Sequence, residues 1–461
     1  TTSLTKCTLY FKKGYSETIL NGTDPVIKDE LIPVTIDSDG TVKKADIGSE
    51  WYSYEKKNWA NAIILKDETE DYLAGEIIPE EKIESYFVWI PRFKYQIFNN
   101  QKYTEISGEE YTEKSIEINI KFENKNDPIS NGTNIGEWLT HPAFTAFDTN
   151  GMWVGKFETG YDGATSTAEA EQNIRDANKI IVKSNVYSWR NIQVANAFYT
   201  SYDYKRNLES HMMKNTEWGA IAYFSHSKYG VLNNVRLNNN SSFVTGNSAL
   251  NEPTCGANKE NPECSKYESV LAGNNGNYLV NYYDSESVKS TTNGNRSGIY
   301  DMSGGSWEYV MGIMLDKDNN PYSGVNSINN SGFKGKFSCP TCNNDDSGKT
   351  ELIDGYDWPD KKYYDSYPYN ESTQDISNYI LGDATGELGG FYLYDNSDYV
   401  SPISSWHSNY ASFVFTGNSS GGVCFERGSF YKEGVVTGIF AFFGQRCSAL
   451  NWVSFRIVLA I

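Results

Sequence analysis

The sequence predicts an α+β fold on three observations. Short β-type segments separated by turn residues fill roughly the first third of the chain. Two stretches of helical periodicity follow, and strand-like segments return at the end. Aromatic residues make up 15% of the 461 (34 Tyr, 22 Phe, 11 Trp), and they supply the core that an apolar fraction of 39% would leave thin.

Val34–Ile36, the Asp39-Gly40 turn and Val42 read as a hairpin, because Asp-Gly tolerates positive φ. Ala60–Leu65 is a second apolar strand, with Trp51 and Trp59 as local anchors, and the acidic Leu73–Ser85 is a connector. Tyr86–Phe98 (YFVWIPRFKYQIF) alternates apolar and polar around Pro91, which suits an edge or bulged strand. Residues 99–140 are polar and loop-rich. Gly151–Gly160 is a strand with Met152, Val154 and Lys156 opposing Trp153 and Phe157. Asn191–Tyr202 places Ile192, Ala195 and Tyr199 at helical spacing. The second helix has Asn215 as N-cap, Trp218, Ile221, Ala222 and Ser225 on one face, and Gly230 as its stop. Residues 231–297 and 315–400 are Asn/Ser/Gly-rich, and irregular stretches of that length signal insertion or function.

Acidic residues outnumber basic ones 59 to 40, for a formal charge of −19. That balance excludes the basic footprint of a nucleic-acid binder and disfavours an anionic membrane surface. No apolar run approaches the roughly 18 residues of a membrane span. Thr1–Tyr15 lacks a signal-peptide core, so the expectation is a cytosolic chain or the mature, soluble part of a longer one. The cysteines bear on that choice. Cys255 with Cys264, Cys339 with Cys342 (CPTC), and Cys424 with Cys447 pair locally, leaving Cys7 over. Local pairing is the mark of disulfides in an oxidising compartment. The alternative is a four-cysteine zinc site from the middle four, although the Cys255–Cys264 spacing is wider than zinc motifs use.

Catalytic patterns are thin. His141, His211, His226 and His407 share no metal-ligand spacing and are expected on loops or helix surfaces. No nucleophile elbow, phosphate-binding loop or dinucleotide fingerprint is present. Asp316, Asp318 and Asn320 have the 1-3-5 spacing of a calcium loop, but Pro321 stands where such a loop needs Gly. No cofactor is expected; calcium at these residues is the alternative to a solvated acidic turn.

GIYDMSGGSWEYVMG (Gly298–Gly312) resembles a signature segment of formylglycine-generating-enzyme-like domains, which have a C-type-lectin-like architecture. FVWIPRFKYQI, NTEWGAIAYFS and the ending FERGSF…SFRIVLAI resemble that family's opening strand, helix and closing strands, in order. The resemblance implies a lectin-like domain over 86–461, with insertions at 99–140, 231–297 and 315–400, after a small β-rich N-terminal region at 1–85. It implies that strand 86–98 pairs with strand 453–461, with two helices packed on a small twisted sheet and long loops capping one face. Further strands are expected at 423–428 and 437–443. Trp307, Glu308 and Arg456 would be structural, the last two as a buried ion pair. Oxidase members hold copper between two cysteines near the C-terminus, for which Cys424 and Cys447 are the candidates. Here Ile457 stands where the family's last cysteine would be, and Cys424 lies before the RGS motif.

Arg427–Ser429, Gly438–Phe440, Phe442 and Ser454–Arg456 match the family framework. Between them lie Phe430, Tyr431, Lys432, Glu433, Val435 and Val436, then Phe443, Gln445 and Arg446, then Ser448, Ala449, Leu450, Asn451 and Trp452. The framework puts these in turns, yet many are large, aromatic or charged, the composition of a binding hot spot. Phe430, Tyr431, Lys432, Glu433, Val435, Phe443, Gln445, Arg446, Leu450, Asn451 and Trp452 are the candidate ligand-binding residues. The layout resembles the variable proteins of diversity-generating retroelements, lectin-fold binders whose C-terminal loops are mutagenised. The competing expectation is that these aromatics pack under the insertions.

The expectation is a non-catalytic bacterial surface protein of adhesin or receptor type. It would bind a protein or glycan on another cell, displayed on a pilin-like or membrane stalk outside this sequence. A phage receptor-binding or tail-fibre protein is the second reading, and a copper-dependent oxidase the third.

Overall fold

A computed structural model describes residues 24–97, 118–133, 136–232, 235–238, 240–249, 279–280, 285–315, 331–333, 355–368, 381–385, 392–393, 409–413, 424–431, 433, 437–445 and 447–461. Cys7, the Cys255–Cys264 and Cys339–Cys342 pairs, His407, the Asp316–Asn320 triplet, Lys432, Val435, Val436 and Arg446 lie outside the described residues, as does the Gln445 side chain.

The chain is α+β and mostly strands. β1 (Ile32–Ile36) and β2 (Val42–Lys44) form the hairpin that Asp39-Gly40 predicts, with Gly40 at φ 87°. β3 (Asn61–Leu65) pairs with β1 and then with β4 (Ile83–Pro91), which takes in the end of the acidic connector. β5 (Phe93–Gln96) turns away after Pro91 and joins β6 (Asn119–Phe122) and β7 (Leu139–Thr140) in a three-stranded sheet, so the 99–140 stretch is not all loop. β8 (Gly151–Gly155) pairs with β4, setting Trp89 against Trp153 with ring centroids 5.3 Å apart.

β9 (Gly160–Tyr161) and β10 (Ile180–Ile181) pair with each other. Helix α1 (Val194–Tyr204) leads to β11 (Ser210–Met212) and then α2 (Asn215–Ser225). Every residue of α2 is buried, so it runs through the interior instead of presenting one face. Its N-cap is Lys214, one residue before the expected Asn215, because the Glu217 carboxylate accepts the Lys214 N–H at 2.8 Å. Gly230 lies beyond the helix, and the short pair β12 (Ser248–Ala249) and β13 (Leu279–Val280) precedes the one-turn α3 (Ser285–Val288).

The second large sheet centres on β14 (Trp307–Leu315). β15 (Asp365–Pro368) runs parallel to the far end of β14, and β16 (Tyr392–Leu393) and β17 (Ala411–Phe413) extend the other side through β18 (Cys424–Arg427) and β19 (Phe442–Gln445). The segment 453–461 is two strands. β20 (Val453–Phe455) pairs with β14, whereas β21 (Ile457–Leu459) pairs with β8 and β11 in the first sheet.

Three sequence expectations are corrected here. Strand 86–98 does not pair with 453–461, because both edges of β4 are taken by β3 and β8, and β8 stands between β4 and β21. Pro91 ends a central strand, where its missing N–H breaks no ladder beyond it. The strand expected at 437–443 begins only at Phe442, since Asn409 accepts the Phe440 N–H and Ala441 bonds back to Gly438.

Candidate functional site

The main chain of residues 447–452 is suspended by its carbonyls. The Cys447 oxygen accepts from the Val194 N–H at 3.4 Å, Leu450 from Asn191 at 2.8 Å, and Trp452 from Trp307 at 3.0 Å. The Tyr309 hydroxyl donates to the Ser448 carbonyl at 2.7 Å, and the Arg190 guanidinium donates to that of Asn451. Every one of these donors belongs to the scaffold. The side chains are correspondingly outward: Ser448, Ala449 and Leu450 are half-buried, Asn451 is exposed, and Trp452 is 37% exposed. Trp452 is the only aromatic among the exposed large apolar residues described.

A second loop is anchored to the same short segment. The Tyr431 N–H donates to Gly305 at 3.2 Å, two residues before the Trp307 N–H that holds Trp452. The Glu433 N–H donates to the Phe430 carbonyl at 3.0 Å. Phe430 and Tyr431 meet edge-on, and Tyr431 meets Phe243, both at 5.4 Å. The Arg190 guanidinium lies 3.9 Å over Phe243, so one arginine supports both loops. Burial raises the Glu433 carboxyl above its ordinary range.

Tyr431 and Trp452 are thus both anchored to Gly305–Trp307, with Phe430 next to the first in the chain and Asn451 next to the second. Phe443 and Gln445 lie on β19 and not in a turn. Phe443 packs against Trp307 at 5.9 Å and Tyr410 at 5.6 Å, because its register opposite Glu426 turns it onto the sheet. Phe243 shows that part of the 231–297 stretch does cover one of these aromatics.

Beneath the loops lies a buried charged layer. Arg456, fully buried where the chain passes from β20 to β21, donates Nε to Glu308 at 2.9 Å and a second N–H to the other carboxylate oxygen. Its remaining N–H groups reach the Gly155 carbonyl at 2.9 Å and the Tyr300 carbonyl at 3.1 Å. This is the Glu308–Arg456 pair that the resemblance implies. Glu158 accepts from the Ser306 N–H at 2.8 Å and from the Ser188 hydroxyl, while Asp301 accepts from Asn238 at 2.9 Å and Gly246 at 3.0 Å. Desolvation raises Glu308 to about 7, with Arg456 opposing and Asp301 adding to the rise. It also lifts Glu158 well above the ordinary range, reinforced by Asp301 and Glu308.

Cys424 and Cys447 form a disulfide with Cα atoms 5.3 Å apart, joining the start of β18 to the root of the 447–452 loop. The histidines expected on surfaces are buried wherever they are described. His141 sits among Phe93, Tyr95, Phe144 and Tyr223, and desolvation lowers it to about 3. His211 stacks on Phe147 at 4.6 Å and bonds Glu217 at 2.9 Å, and His226 packs on Phe440 at 5.6 Å. Among the described residues, no group of three or more His, Cys, Asp or Glu could hold a metal, and no helix is long and apolar enough to cross a membrane.

Arg190, Asn191, Phe243 and Tyr309 are the positions that sequence reading missed. They act on residues more than a hundred positions away, and no local motif marks such a contact. No protein-family model and no curated protein matches the chain.

Proposed function

We propose that this chain is a non-catalytic ligand-binding protein of C-type-lectin-like fold, presenting the 430–433 and 447–452 loops to a protein or glycan on another surface. The observation that carries the reading is the suspension of residues 447–452 by their carbonyls, which leaves Asn451 exposed and Trp452 37% exposed. A large aromatic held in place without being buried is poised to contribute binding energy at low entropic cost. The bonded Cys424–Cys447 pair also favours binding over copper oxidation, since the two sulfurs an oxidase would use hold each other. Extracellular display agrees with that bond.

The test pairs melting with capture on an array of immobilised glycans and cell-surface proteins. Trp452→Ala should weaken capture of the wild-type partner by about 30-fold, the equivalent of roughly 2 kcal/mol, with an unchanged melting temperature. A lower melting temperature with unchanged capture would overturn the reading.

A further inference from the structure

Arg190 is buried and held on both sides of its own backbone. Its N–H donates to the Ala170 carbonyl at 3.1 Å, and its carbonyl accepts from the Gln172 N–H at 3.2 Å. The guanidinium works in two directions. In its plane it donates to the Asn451 carbonyl of the 447–452 loop and to the Thr167 carbonyl at 3.2 Å, and it pairs with Glu171 at 3.1 Å. Its carbon lies 3.9 Å from the centre of the Phe243 ring. A guanidinium can do both at once, because its donors lie in the plane and its faces stay free to stack.

Phe243 carries the contact onward. Its backbone has φ 52°, a region that a bulky side chain adopts only where its surroundings over-determine it. Here they do. The Ser188 N–H donates to the Phe243 carbonyl at 3.0 Å, and the Asn240 side chain accepts the Ser242 N–H at 2.9 Å and donates to the Val244 carbonyl at 2.5 Å. The ring so placed meets Tyr431 at an interplanar angle of 80°, and Tyr431 meets Phe430 at 74°. Two more left-handed residues flank this run: Asn191 at φ 58°, which bonds Leu450, and Ser429 at φ 60°, which precedes Phe430.

We propose that Arg190 is the positioning residue of the binding face: through Phe243 it couples the 447–452 loop to the 430–433 loop, so that loosening one loosens the other. The face is then built from three segments distant in sequence, and Phe243 joins Tyr431 and Trp452 as a residue that sets its shape. A ligand that seats on Tyr431 steadies Phe243, then the guanidinium, then the Asn451 carbonyl beside Trp452. Part of the ordering cost at Trp452 is thereby met before that ring is touched.

The meaning of this coupling rests on the binding reading above, but its test needs no ligand. The Trp307 amide is covered by the Trp452 carbonyl, the Tyr431 amide by that of Gly305, and the Trp89 amide, in the first sheet, by that of Ala60. Hydrogen exchange at the three therefore reports one loop, the other loop and a control. Phe243→Leu removes the ring and leaves every Arg190 hydrogen bond its donor and acceptor. It should lower protection about tenfold at both Trp307 and Tyr431, with Trp89 unchanged. Arg190→Met should do the same, and the double variant should lose no more than the larger single, since both break one chain. Phe243→Tyr keeps a ring under the guanidinium and should keep the protection. If Arg190→Met folds poorly, the Leu and Tyr variants of Phe243 carry the test. Unchanged Trp307 protection in Phe243→Leu would overturn the coupling, as would additive losses in the double variant or an equal loss at Trp89. Coupled amides in a chain that captures nothing on the array would defeat the binding reading alone.

Discussion

Replacing Arg456 by methionine removes the cation that ties the two large sheets together at the β20–β21 passage. Methionine fills much of the same space but donates no hydrogen bond. Three buried acceptors then lose their partner: the Glu308 carboxylate and the Gly155 and Tyr300 carbonyls. Breaking a buried pair from one side costs about 3–5 kcal/mol. Each orphaned carbonyl adds on the order of 1–3 kcal/mol where water cannot reach it. Against a typical stability of about 5–15 kcal/mol, Arg456→Met should leave a chain at the margin of folding. Glu308→Met/Arg456→Met should recover part of the loss, since an apolar pair in place of a buried ion pair is often neutral or better. The sign of the pH dependence follows from Glu308. Its folded pKa is raised above 4.5, so its contribution is full below 4.5 and is lost as pH rises through about 7. Without Arg456 that rise is larger, so the deficit of Arg456→Met should be smaller near pH 4.5 than above pH 7. Urea unfolding followed by tryptophan fluorescence measures all three quantities. A cost under about 1 kcal/mol for Arg456→Met, or a double variant less stable than the single, would refute the reasoning.

Glu217 runs the other way: burial would raise it, but the His211 charge and hydrogen bond, with Lys214, hold it below its ordinary value. Its stabilisation is present above pH 4.5 and lost as pH falls through the lowered pKa, so Glu217→Gln should flatten the acid limb of a stability–pH curve. Gly305→Ala would force a Cβ to 2.6 Å from the Glu158 carboxylate at φ +73°; it should cost at least about 1–3 kcal/mol by calorimetry and weaken capture, because Gly305 anchors Tyr431. Cys424→Ser/Cys447→Ser opens a loop of 23 residues and should lower unfolding free energy by about 3 kcal/mol in urea while the chain still folds.

Much was legible without coordinates because it is local. Asp39-Gly40 dictates the β1–β2 turn, helical periodicity places α1 and α2 within a few residues, and alternating bulk marks β4 and β8. The partnership of Cys424 with Cys447 could also be named from the local spacing of the cysteines, and that of Glu308 with Arg456 from the resemblance of the segments that carry them. What tertiary structure alone decided was neighbourhood. The period of a strand says which residues share a face, but not which strand lies beside it, so β8 came between β4 and β21 unannounced. The same limit split 453–461 between two sheets at Arg456 and moved Phe443 from a presumed turn into a strand. It also hid Arg190, Asn191 and Tyr309, whose role is to hold carbonyls at the far end of the chain. A backbone carbonyl is identical in every residue, so no sequence pattern records which donor will find it; only the packed fold sets that distance.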